Sequence, residues 1–167
     1  MFGNKRKKAT EFVIDRMRPL VGLIQHQYGI PEGFWQDEFV LGFMHLMVSF
    51  HTQQSGYHLS TTDKGFLIAD VYTSLSNLNG AAIGQRATDI ATEEDQHPDF
   101  KLGADCAHIC AFATIGKMSE DGRKIVAAAK DMAAERGNAD DTSAVVEILF
   151  HELFFQKIAE RFGLDSD

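Results

Sequence analysis

Proline is scarce in this chain, with three in 167 residues, so little interrupts a helix once it has started. Sustained alternation of apolar and polar residues between hairpin turns is missing too, which argues against strands. The two cysteines, Cys106 and Cys110, sit four apart and offer no disulfide framework. No run of about 20 apolar residues occurs, as a membrane-spanning helix would need. The stretch 39–62 lacks Asp, Glu, Lys and Arg, but after its first dozen residues it turns polar, as "HTQQSGYHLSTT". Absent as well are a P-loop, a Gly-x-Gly-x-x-Gly turn, a His-Glu-x-x-His pair and a Gly-x-Ser-x-Gly elbow. Neither an internal repeat nor a low-complexity tract divides the chain.

Positive charge is the other shortage. Sixteen Lys and Arg face 24 Asp and Glu, a net charge of -8. "KRKK" at 5–8 alone supplies +4, so the rest of the chain carries -12. An acidic body repels a phosphodiester backbone, and no nucleic-acid partner is expected. The basic tetrad reads as a flexible N-terminal tail, residues 1–8, or a solvated helix end. No apolar segment of signal-peptide type follows it, so a cytoplasmic protein is expected.

What the chain does have is helical period. Val13, Ile14, Met17, Leu20, Val21, Ile24 and Tyr28 fall on one face, with Pro19 on the other. Gly29 and Pro31 end that helix. A second helix, near 33–53, is apolar nearly all round. Its narrow polar stripe of Glu38, Gly42, His45, Ser49 and Thr52 suggests a neighbour packed close to the backbone. Ser60 with Asp63 resembles a capping box. The third helix then puts Leu67, Val71, Leu75, Leu78 and Ala82 on one stripe, with a kink expected at "NGAAIG", 79–84. A fourth helix, 98–117, is rich in Gly, Ala and Cys and has no charged residue from Cys106 to Gly116. Small side chains there mark a second central helix. "SEDG" at 119–122 and "NADDTS" at 138–143 open two more. The expected architecture is all-α: one helical domain over 1–167, a bundle of five to seven helices with apolar helices near 33–53 and 98–117 at its centre.

Candidate chemistry lies on those central helices. His45 follows Glu38 by seven residues, His108 follows Asp105 by three, and His151 follows Glu147 by four. Such spacings turn imidazole and carboxylate towards one side of a helix. Di-iron carboxylate bundles hold metal with converging groups of this kind, but this chain has no second Glu-x-x-His in a buried helix. No cofactor is expected. A metal or small ligand held by His45, Glu38, His108 and Asp105 is the alternative reading, the other being core histidines that donate a proton to a neighbour. The cysteines read as small packing residues, with no activating base at a matching position.

The last helix spreads Phe150, Phe154, Phe155 and Phe162 over more than one face, and Trp35 raises the same question near the second helix. Aromatics in excess of one buried face form an apolar patch, and such patches mark interfaces. The leading functional expectation is therefore a helical interaction or regulatory protein. It would self-associate as a homodimer or other homo-oligomer, or dock a protein partner, through Trp35, Phe150, Phe154, Phe155 and Phe162.

Overall fold

A computed structural model of the chain describes residues 2–113, 118–138 and 141–164. The protein is all-α: among the described residues it is a bundle of seven helices with no strand. They are α1 (Phe2–Gln27), α2 (Glu38–Gln54), α3 (Thr61–Ser76), α4 (Gly80–Thr92), α5 (Pro98–Phe112), α6 (Glu120–Glu135) and a last helix in three segments. That last helix runs as α7 (Thr142–Phe150), a π turn (His151–Phe155) and α8 (Gln156–Phe162). Contacts group the residues into two compact units, Met1–Ala104 and Asp105–Asp167, with the boundary inside α5. The final turn expected at 114–117 lies outside the described residues.

Local chemistry explains where the helices begin. Asp37 caps α2 by accepting a bond from the Val40 amide at 3.0 Å. Ser60 caps α3, its hydroxyl accepting from the Asp63 amide at 3.1 Å and donating to the Asp63 carboxylate at 2.8 Å. Ser119 caps α6 and Asp141 caps α7 in the same manner. Gly29, at φ 71°, ends the first helix where a left-handed residue is needed. The basic stretch 5–8, expected as a flexible tail or a solvated helix end, forms the opening turns of α1. The apolar stripe that holds this helix down starts directly after it, at fully buried Ala9.

In the first unit, α1 packs on α2 and α3, α3 on α4, and α2 on α4. Helix α2 is the interior element, with Phe39, Val40, Leu41, Phe43 and Met44 all fully buried. It crosses the first half of α5 at two glycines. A Cβ on Gly42 would overlap the Phe100 carbonyl, and a Cβ on Gly103 would overlap the Phe39 carbonyl. The contact is reciprocal, because "FVLG" (39–42) and "FKLG" (100–103) place a glycine three residues after the phenylalanine it serves. The small-residue stripes expected to bring backbones together do so here.

The expected kink at 79–84 is a break. Asn77 adopts the left-handed conformation at φ 57° and closes α3, and Asn79 caps α4 through a bond from the Ala82 amide. Gly80 and Gly84 then lie on the seam between the two helices, where a Cβ would run into Thr73, Ala69 and Ile68. Their missing side chains allow close approach, not bending. Past the left-handed Asn77 the chain also leaves the α3 register, so Leu78, placed by periodicity on the buried stripe, is 49% exposed.

In the second unit α6 packs on α7, with Val126, Ala129 and Ala133 against the core. The last helix buries Val145, Ile148 and Leu149 before its π turn and Phe154, Phe155 and Ile158 after it. Those two sets lie on different faces, and the chain itself covers both. Phe154 is fully buried, and Trp35 and Phe155 are buried as well. Trp35, Phe154 and Phe155, expected at an interface, are thus enclosed within the single chain. Phe150 and Phe162 are half-buried.

Candidate functional site

An open groove of the first unit forms where α1, the 30–36 segment and the end of α3 come together. Beyond Gly29, the chain turns at Pro31 and at Gly33, which has φ 79°. A single 3-10 turn follows, closed by bonds from the Gln36 and Asp37 amides to the Gly33 carbonyl at 2.9 and 3.0 Å. This turn drives Phe34 and Trp35 inward. Their rings meet edge-on at 5.0 Å, and Trp35 meets the ring of Tyr72 edge-on at 6.1 Å. The inserted pair fixes the floor of an open groove of about 840 Å³.

Arg18, Val21, Gly22 and Gln25 of α1 form one wall, and residues 74–78 form another. Nothing stands within 4 Å of a Cβ built on Gly22, so the α1 wall is notched there. Leu78 in the wall is 49% exposed, and Leu23, next to the notch, is 55% exposed. Arg18 and Glu32 are the charged lining residues, one of each sign. Arg18 pairs at 3.7 Å with Asp15, both side chains being well exposed. The groove therefore has no bias towards an anion or a cation. Its size is within the range of small-ligand sites, while its apolar rim suits side chains brought by a polypeptide.

No protein-family model matches the chain, and no curated protein or solved structure matches it.

The sequence-derived histidine and carboxylate candidates are placed otherwise. Glu38 opens α2 and accepts a bond from Arg86 of α4 at 2.6 Å. Its carboxylate is held by that guanidinium, two turns from His45. The pair is partly open to water, with side chains 29% and 45% exposed for Glu38 and Arg86. A double-mutant cycle of Glu38→Gln and Arg86→Met, read by urea unfolding, should give a coupling below about 1 kcal/mol.

His45 is half-buried, its ring 6.3 Å from that of Phe100, and its Nδ1 is enclosed with no hydrogen-bond partner. Burial pushes its pKa below the ordinary value of 6.5. His51, one helical turn and a half further on, is also lowered by burial, against a bond to Gln54 at 3.0 Å that raises it. In the second unit His108 is half-buried with its ring edge-on to Phe112 at 4.6 Å, and Asp105 is exposed. His151 meets Glu152 at 3.2 Å on the exposed side of the π turn. Among the described residues, no three His, Cys, Asp or Glu side chains stand where they could hold a metal ion.

Both thiols are buried, and burial raises their pKa values, for Cys110 far above the usual thiol range. They are packing groups at neutral pH, not thiolates. Two hydroxyls share the condition of His45: Thr10 Oγ1 and the Tyr72 hydroxyl are enclosed without a partner. The Tyr72 phenol is driven far above its ordinary pKa by burial alone. Sequence reasoning passed over the groove, although one signal was available. Leu23 falls off the apolar stripe of α1, and an off-stripe leucine beside a helical glycine marks apolar surface.

Proposed function

We propose that this chain is a cytoplasmic helical interaction protein, and that it docks a protein partner through the groove between α1 and the end of α3. The supporting observation is the groove itself: an open concavity of about 840 Å³ with a notch at Gly22 and the exposed Leu78 on its wall. Apolar surface left open beside a preformed concavity is what a partner's anchoring side chains fill. The occupant this reading takes is an apolar-anchored segment of polypeptide, from another protein or from a second copy of the chain.

The test is photo-crosslinking in cells, with a benzophenone amino acid in place of Leu78 and, as a control, in place of exposed Gln53 on α2. A discrete adduct from position 78 and none from position 53 is expected. Gly22→Trp should abolish that adduct and leave the unfolding midpoint within about 0.5 kcal/mol of the parent, because the notch is open. Equal labelling at both positions, or an adduct that survives Gly22→Trp, would remove the groove from the account.

A further inference from the structure

At the opposite end of the α1–α3 pair from the groove, cations and an aromatic ring gather on one surface. Lys5, Lys7 and Lys8 of α1 are exposed, and so are Lys64 and Gly65 of α3. The Arg6 guanidinium lies over the ring of Phe66 at 5.1 Å, joining the two helices. Phe66 is 53% exposed, one of the most exposed large apolar side chains of the molecule. Lys7 reaches Glu11 only at 3.9 Å, between side chains that are 76% and 60% exposed, so the pairing neutralises little.

This arrangement opposes the interests of the helix. The first turns of α1 lie at the positive end of its dipole, where acids stabilise and cations destabilise. Helix α1 has no acid in its first turn and four consecutive cations by the second. Lys5 and Lys8, three apart, also repel one another. Locally unfavourable choices of this kind are expected where a site has a task besides folding.

We infer that this end of the first unit is a docking surface for an anionic lipid bilayer. The cations meet phospholipid headgroups, and Phe66 enters the boundary between headgroups and acyl chains. Charge complementarity selects an anionic occupant, and shape and composition narrow it. The remainder of the chain carries -12, which would be pressed against a long polyanion that follows the protein surface. A flat leaflet can be met by the exposed Lys5, Lys7, Lys8, Lys64 and Phe66 surface of the first unit alone. A nucleic-acid duplex keeps its base faces stacked away from a surface phenylalanine, whereas an interfacial aromatic beside cations is a recurring membrane anchor.

The experiment is sedimentation of the full chain with vesicles of phosphatidylcholine, with and without phosphatidylserine. Binding is expected only when phosphatidylserine is present, and it should disappear in about 1 M salt, where charges are screened within ~3 Å. Each cation near such a surface contributes roughly fivefold in affinity, so Lys5→Ala combined with Lys8→Ala should weaken binding about tenfold or more. Phe66→Ser should weaken it severalfold without altering its salt dependence. Both variants should keep the parent's helical circular dichroism, since the replaced side chains are exposed. Equal binding to neutral and anionic vesicles, or unchanged binding by the lysine variant, would overturn the inference. So would tighter lysine-dependent binding to duplex DNA than to the anionic vesicles.

Discussion

Gly42→Ala and Gly103→Ala should each lower the unfolding free energy by about 3 kcal/mol in urea, whereas Gly65→Ala should raise it by about 0.5–1 kcal/mol. All three put the same methyl group into the middle of a helix, where alanine alone is favoured over glycine by about 1 kcal/mol. Space decides the sign. At Gly65 nothing lies within 4 Å of the new Cβ, so only the propensity gain remains. At Gly42 and Gly103 the new atom would meet a backbone carbonyl, of Phe100 and of Phe39, and backbone cannot rotate aside as a side chain can. Helices α2 and α5 would have to part, loosening Phe39 and Phe100 from the core that encloses them. The double variant should lose less than the sum of the two, because a crossing opened at one glycine relieves the other. Unfolding of Gly42→Ala at the parent's midpoint would mean that α2 and α5 do not touch at this point.

Much of this architecture could be read without coordinates. The 3.6-residue period located α1 and α2, side-chain caps at Ser60, Ser119 and Asp141 set helix starts, and the glycines at 42 and 103 announced close neighbours. What stayed ambiguous follows from the physics of single residues. A glycine in a helix has two meanings, a flexible backbone or a place for another backbone. Gly80 and Gly84, read as a kink, turned out to be the second. Asn77 held the deciding information, since one left-handed residue both ended α3 and turned Leu78 out of the buried stripe. The aromatics of the last helix carry a related ambiguity. Periodicity reports how many faces are apolar, but not how many the rest of the chain covers, and Phe154 and Phe155 are covered. The groove was the least legible feature, because a concavity belongs to three segments brought together by the fold. The partner of Glu38 was equally hidden, for Arg86 lies 48 residues away.

His45 should make the protein less stable in mild acid, and removing it should stabilise the fold. Its folded-state pKa lies below 6.5 because burial disfavours the charged ring. In the unfolded chain the same ring takes up a proton near 6.5. Between the two values the unfolded state holds more protons, so stability is full above about pH 7.5 and falls as pH drops below 6.5. The loss levels off once pH is below the depressed folded value. His51, also lowered by burial, adds a loss of the same sign. His45→Leu replaces the ring with an apolar group of similar bulk and removes Nδ1, which is enclosed without a partner. An unsatisfied buried polar atom costs about 1–3 kcal/mol, so the variant should gain about 1–2 kcal/mol at pH 8. The gain should be larger at pH 5, and the remaining pH slope is then the part owed to His51. Urea unfolding of parent and variant at both pH values measures all of this. A ring that served as a metal ligand would behave in the opposite way: zinc or iron would raise the parent's midpoint, and His45→Leu would abolish that rise. Destabilisation by His45→Leu at both pH values would show that Nδ1 has a partner after all, and the imidazole would then be a working member of the core.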